Sequence, residues 1–199
     1  MKQQGDLLVG SLMVRESRHI ATLLLNDASA EVWAEEILTK NILQKKSLGT
    51  AARVTRGLKR RLSALDKVLL RALTEADDSL AKQIALTSVL NVNPMLLGFF
   101  ETVLAEAYLG QQENLHLYQW DDYLRAYEQR DPSVAEWSET STKKVRQIVI
   151  RILSECGYLS DTKSRRLQKL VVYPELRQML EKLNMFEVLN GLTLRRGMR

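Results

Sequence analysis

The chain has 199 residues, 45% hydrophobic and 27% charged, an ordinary balance for a soluble globular protein with room for one or two domains. A single cysteine excludes an internal disulfide framework, and only nine Gly and three Pro favour helices throughout. The net charge of +5 is modest but uneven: residues 1–39 carry −3, 40–71 carry +9, 72–142 carry −9 and 143–199 carry +8. Two basic blocks point to a polyanionic partner, unless the acidic middle folds back and neutralises them.

Residues 1–13 read as a loosely defined lead-in with apolar positions able to dock. A first helix is predicted from Val14 to Leu25, ended by Asn26-Asp27. Ser29 caps a second, over residues 31–40, with Val32, Trp33, Ile37 and Leu38 as its inward face. After a break over residues 41–46, Ser47 caps a third helix whose apolar line is Ala51, Val54, Leu58, Leu62 and Leu65. Arg53, Arg56 and Arg60 follow another line of that helix, with Lys59 beside it. Helix, break and basic helix resemble a helix-turn-helix, although two helices joined by a loop occur in most all-α proteins.

A short helix continues to Leu73, and residues 74–79 form the next hinge and cap. Residues 83–100 are eighteen uncharged residues, long enough to raise a membrane span. Asn91, Asn93 and Pro94 lie mid-run, so two buried helices meeting at Asn93-Pro94 are expected instead. The second ends at Gly110. Another helix is predicted from Tyr118 to Gln129, broken by Asp131-Pro132.

The pivotal stretch is Ser138 to Leu159. Val145, Ile148, Val149, Ile152 and Leu153 make one apolar stripe at helical spacing. Lys144, Gln147 and Arg151 run along the opposite side, flanked by Lys143 and Arg146. Ser138 and its neighbours offer N-cap oxygens, and Gly157 stops the helix. Tyr158-Leu159, a basic turn with Lys163, Arg165 and Arg166, and the β-rich Leu170 to Tyr173 then follow. That order fits a winged helix-turn-helix, with a small β-hairpin near residues 158–173. It also fits a plain core helix with a solvated basic face, and pattern alone leans to that plainer reading. A last helix, Glu175 to Leu189, precedes a frayed tail from Gly191.

Catalytic chemistry finds no motif. His19 and His116 sit in no metal-ligand spacing, Glu16 and His19 lack a third ligand, and no phosphate-binding loop or nucleophile motif occurs. No enzyme activity, cofactor or metal is expected. Nucleic-acid binding finds more, because clustered Lys and Arg neutralise phosphates without needing a motif. Gln147 and Arg151 can also read base edges. No paired strand aromatics or GXXG loop indicate an RNA module, so duplex DNA ranks above RNA. With no charged, apolar leader at its start, the chain is expected in the cytoplasm.

Residues 10–24, 41–47 and 60–73, and above all Leu153 to Leu159 after the basic helix, resemble the BrxA family of bacteriophage-exclusion (BREX) systems. The resemblance runs from about Gly10 to Leu159. It implies an all-helical protein with helix-turn-helix-like elements, a basic groove for double-stranded DNA, and other BREX proteins as partners. A described likeness of the family to a helical RNA-binding antitermination factor keeps RNA open. DNA contact carries over to Lys45, Lys46, Arg53, Arg56, Arg60, Lys144 and Arg151.

The expectation is therefore an all-α helical bundle with two helix-turn-helix-like elements, in domains 1–75 and 76–199, the second winged. The DNA-binding set is Lys45, Lys46, Arg53, Arg56, Lys59, Arg60, Lys143, Lys144, Gln147, Arg151, Lys163, Arg165 and Arg166. A monomer off the membrane is the expected state. A protein–protein adaptor and an RNA-binding module are the competing functions.

Overall fold

The structure, a computed structural model, describes residues 7–195. The fold is all-α, and among the described residues no strand forms, only isolated antiparallel bridges. Contacts divide the chain into two compact units, residues 12–92 and residues 7–11 with 93–195. The division falls at Asn93 rather than after residue 75, because the helix Asp78–Val92 joins the first unit.

In the first unit, α1 (Val14–Leu25) ends where Asp27 takes a left-handed φ of 45°. The next helix, α2 (Ala30–Ala34), starts at Ser29, whose Oγ accepts from the Val32 amide, and widens into a π turn (Glu35–Thr39). The expected inward face fails here. Only Ile37 is buried, while Val32 and Leu38 are exposed and Trp33 is half-buried. A π turn closes on i→i+5 rather than i→i+4, so Ile37 and Leu38 within it do not continue the α-helical stripe of Val32 and Trp33 before it.

The basic helix α3 (Leu48–Ser63) is capped by Ser47, whose Oγ accepts from Thr50 N at 3.2 Å. Ala51, Val54, Leu58 and Leu62 are buried as the spacing requires. Asp66 caps α4 (Lys67–Glu75), and Asp77 accepts from the Ser79 and Leu80 amides at the start of α5 (Asp78–Val92). α1 packs on α3, α4 and α5. Arg18 fastens it by donating to Ala76 O at 2.7 Å.

The apolar run breaks where expected. Asn93 is fully buried, its Oδ1 accepts from Leu96 N at 2.8 Å, and Pro94 opens the next helix. Among the described residues no single helix is long and apolar enough to cross a membrane.

The second unit begins with α6 (Pro94–Phe99), which passes through a π turn (Phe100–Leu104) into α7 (Ala105–Leu109). α8 (Leu117–Tyr127) packs on α6 through Phe99, Trp120 and Tyr123, whose rings meet edge-on or tilted. The approach is close. An ideal Cβ on Gly98 would lie 2.6 Å from the Tyr123 phenol oxygen, whose O–H donates to Met95 O. Residues 7–11 dock here, with Leu7 buried and Ser11 Oγ donating to Glu155 at 2.8 Å.

The pivotal helix is α9 (Glu139–Glu155). Ser138 Oγ accepts from Ser141 N. At its far end Gly157, at φ 84°, lets Tyr158 N bond back to Leu153 O and Gly157 N to Ser154 O, the left-handed stop that spares a side chain the strain. Val145, Val149, Ile152 and Leu153 are buried as expected. Ile150 is buried too, whereas Ile148 is only half-buried.

Beyond α9 the hairpin expected near residues 158–173 is reduced to isolated bridges. The bridges pair Leu159 with Leu167 and Asn114 with Arg166, so residues 165–168 run between two short extended segments, 158–160 and 113–115. Four backbone bonds at 2.9 Å hold them: Ser160 N to Arg166 O, Gln168 N to Tyr158 O, Leu167 N to Glu113 O and Leu115 N to Arg165 O. The β-branched Val171 and Val172 make no bridge and lead into α10 (Pro174–Lys182).

The expected last helix is two. Asn184 takes φ 55° between α10 and α11 (Phe186–Leu192). Gly191 and Leu192 are buried rather than frayed, because Leu192 O accepts from the buried Tyr158 hydroxyl at 2.6 Å. Residues 196–199 of the expected tail lie outside the described residues.

Candidate nucleic-acid interface

Each unit carries one basic helix, and the two differ in how far their cations are already engaged. In the first unit, Lys45 is drawn inward. Its ammonium meets Glu16 Oε1 at 2.6 Å, with both side chains largely covered. Burial alone would raise the Glu16 carboxyl pKa, but the Lys45 hydrogen bond and nearby Arg15 outweigh it and hold it below the ordinary value. Lys45 is thus a tie between the 41–47 break and α1, not an open contact.

Lys46, Arg53 and Arg56 are exposed, Arg60 is half-buried, and Lys59 lies 4.3 Å above the Trp33 ring. The break between the π turn and α3 covers residues 40–47, longer than the roughly three- or four-residue turn of a simple helix-turn-helix.

In the second unit the geometry is more concentrated. Lys143, Lys144, Gln147 and Arg151 all lie on the exposed side of α9. Lys143 pairs with Glu139 one turn back at 2.6 Å, an exposed bridge that holds the Glu139 carboxyl below its ordinary value. The side chains of Lys144, Gln147 and Arg151 make no ion pair or hydrogen bond among the described residues. Beside this face opens a cleft of about 470 Å³ lined by Leu117, Arg146, Gln147, Ile150, Arg151, Thr162 and Arg165.

The far wall of the cleft is the 160–165 turn, and Asp161 organises it. Its carboxylate accepts from Lys163 N at 2.6 Å, Ser164 N at 2.8 Å, Ser164 Oγ at 2.6 Å and Ser160 Oγ at 3.0 Å. These bonds, the Ser164 side chain first, hold the Asp161 carboxyl well below the usual range. Arg165, at φ 54°, donates from Nε to Leu115 O at 3.1 Å. Lys163 projects from the exposed tip, and Arg166 faces Glu113 at 3.4 Å.

Gln147, Arg151 and Arg165 are therefore brought to one cleft, with Lys144 on the same side of α9. Arg146, named from the sequence only as a flank, also lines it and pairs with Asp121 of α8 at 2.5 Å. Nothing in the local sequence marks that pairing, which spans 25 positions. The cleft presents three guanidiniums, an amide and a hydroxyl above the apolar Leu117 and Ile150. That chemistry suits an extended phosphate-bearing ligand. Among the described residues no three His, Cys, Asp or Glu gather as a metal site would require.

The sequence profile of the BrxA family matches residues 2–184. A protein of Escherichia coli O9:H4 (strain HS) named BREX protein BrxA is 31% identical over 94% of this chain and 87% of its own length. One of the same name from Paramagnetospirillum magneticum (strain AMB-1) is 30% identical over 92% of both chains. A crystal structure of an uncharacterized protein from Magnetospirillum magneticum superposes with a TM-score of 0.86 at 27% identity, covering 96% of this chain and 97% of that one.

Proposed function

The chain belongs to the BrxA family, and from that premise we propose that it is a non-catalytic, duplex-DNA-binding component of a bacteriophage-exclusion system. The observation that carries the reading is the open side of α9. Lys144, Gln147 and Arg151 are exposed and unpartnered among the described residues, beside a cleft that adds Arg146 and Arg165.

The order α6–α7, segment 113–115, α8, α9, segment 158–160, turn, segment 165–168 supports a winged-helix reading. In it α9 enters the major groove and the 160–165 turn follows the backbone. Lys144 and Arg151 neutralise phosphates and release counterions, a sequence-independent gain. Gln147 reaches base edges from the middle of that line and adds a modest preference. Lys46, Arg53 and Arg56 offer a second phosphate-binding face on the other unit. Other BREX proteins supply the setting in which binding acts.

The test is affinity for duplex DNA, single-stranded DNA and RNA across a salt series. With about four to six phosphates contacted, the log–log slope for duplex is roughly −3.6 to −5.4, from about −0.9 per phosphate. A flat response, or no binding at low salt, refutes DNA binding and favours a protein adaptor. Preference for RNA over duplex favours the antitermination-like alternative.

A further inference from the structure

Asp121 sits on α8 and its carboxylate holds the guanidinium of Arg146, which lines the basic cleft. Its Oδ2 accepts from Arg146 Nη1 at 2.5 Å, and the two side chains are 33% and 25% exposed. None of the residues lining the cleft is acidic, so Asp121, paired with Arg146 from outside that lining, is the carboxylate that holds one of its three guanidiniums. The next residue, Asp122, pairs instead with Arg125 on its own helix at 3.2 Å.

A carboxylate and a phosphodiester are alike to a guanidinium, since both present two oxygens that its planar fork can meet. They differ in reach. Asp121 is tethered to α8 and engages Arg146 but leaves Arg151 unpartnered, whereas a phosphate in the cleft can engage more than one guanidinium. The pair is only partly covered and rests on a single bond, so a phosphate that meets two guanidiniums can compete with it.

We propose that the Arg146 cleft is a seat for a DNA phosphate, and that Asp121 holds the Arg146 guanidinium in the unbound protein as a competitor that the phosphate displaces. The inference rests on the duplex-binding function proposed above. It adds Arg146 to the phosphate-contacting residues and assigns Asp121 to setting affinity. Asp121 raises the threshold for binding, so only a phosphate held in register by Lys144, Gln147 and Arg151 takes the seat.

The experiment compares duplex affinity of the wild type with Asp121→Asn, Asp121→Ser, Asp122→Asn, Arg146→Gln and the Asp121→Asn/Arg146→Gln double variant, with a thermal melt of each. Asp121→Asn and Asp121→Ser tighten binding about two- to five-fold, the range a single ion pair of this kind supports. Asp122→Asn removes the same charge one residue away and gains less. Arg146→Gln weakens binding and flattens the salt slope by about 0.9. The double variant gains over Arg146→Gln no more than Asp122→Asn gains over the wild type, because Asp121 then has nothing to withhold.

If the pair merely staples α8 to α9, both Asp121 variants melt lower and bind no tighter, and the seat is refuted. Equal gains from Asp121→Asn and Asp122→Asn refute it as well, leaving only net charge. Wild-type binding without these gains overturns the seat and spares the DNA reading. Absence of duplex binding by every variant at low salt overturns both.

Discussion

Reversing both Lys144 and Arg151 to Glu separates the binding role of α9 from its structural one. Both side chains are exposed and unpartnered among the described residues, so stability changes by no more than about 0.5 kcal/mol. Binding responds very differently. At 0.1 M salt each phosphate contact is worth about 0.9 log units relative to 1 M, so losing two lowers affinity about 60-fold before repulsion is counted. The salt slope becomes shallower by about 1.8.

The contrasting variant is Ile152→Ala. Ile152 is fully buried on the opposite face, and its truncation costs about 2–5 kcal/mol of stability. Urea denaturation followed by circular dichroism reads the first quantity, and fluorescence anisotropy with a labelled duplex reads the second. A folded double-Glu variant that binds as the wild type does refutes the argument, because this side of α9 is then plain solvated surface. Arg53 and Arg56 would take its place. A double-Glu variant that unfolds while Ile152→Ala stays stable means the faces of the helix have been assigned backwards.

Gly98→Ala should cost about 1–3 kcal/mol by overpacking, since the new Cβ falls 2.6 Å from the Tyr123 phenol oxygen. In a Tyr123→Phe background the next atom is 3.7 Å away and most of that cost disappears, as paired denaturant melts can measure. Asp161→Ala should loosen the 160–165 turn and weaken duplex binding without lowering the melting temperature of the core, and faster hydrogen exchange at the Ser164 amide checks it. Because the folded Asp161 pKa is depressed, its contribution is complete above the ordinary value of 3.8 and is lost only as pH falls through the lower folded value. Amide exchange across an acid titration follows that loss. At high pH the sign reverses. Burial pushes the Tyr108 phenol up to about 12 and Tyr158 well above 10.0, so stability present below pH 10 drains away as pH rises toward about 12, which denaturant midpoints at stepped pH would show.

The sequence announced most clearly what local chemistry controls. α1 ends at Asn26-Asp27, α9 runs from the Ser138 cap to the Gly157 stop, and the apolar run breaks at Asn93-Pro94, each because one residue carries the signal. Where a signal depended on packing, it was missed or misread. Ile148 and Ile150 are equally apolar, and only the placement of neighbouring elements buries Ile150 more deeply. The break between α10 and α11 has neither Gly nor Pro. Its one sequence mark is Asn184, a residue type that tolerates left-handed backbone. Segment 113–115 is too short to display alternation, so its partnership with residues 165–167 was invisible, and β-branched Val171 and Val172 drew attention to the wrong stretch.

Charge followed the same division. The sequence left open whether the acidic middle folds back onto the basic ends, and the answer differs residue by residue. Asp121 reaches Arg146 and Glu113 reaches Arg166, while Glu16, from outside the acidic block, takes Lys45 out of play. Lys144 and Arg151 meet no acid among the described residues. Helical spacing explains the difference in part. Lys144 and Arg151 lie seven apart and share an exposed line along α9. Arg146 lies on the flank that faces α8 and Asp121. Neutralisation thus stops at the edge of the α9 face, and the cations of that helix that meet no acid among the described residues, Lys144 and Arg151, fall on a single line. A line of that kind suits a partner whose charges are themselves evenly spaced, as the phosphates of a duplex are.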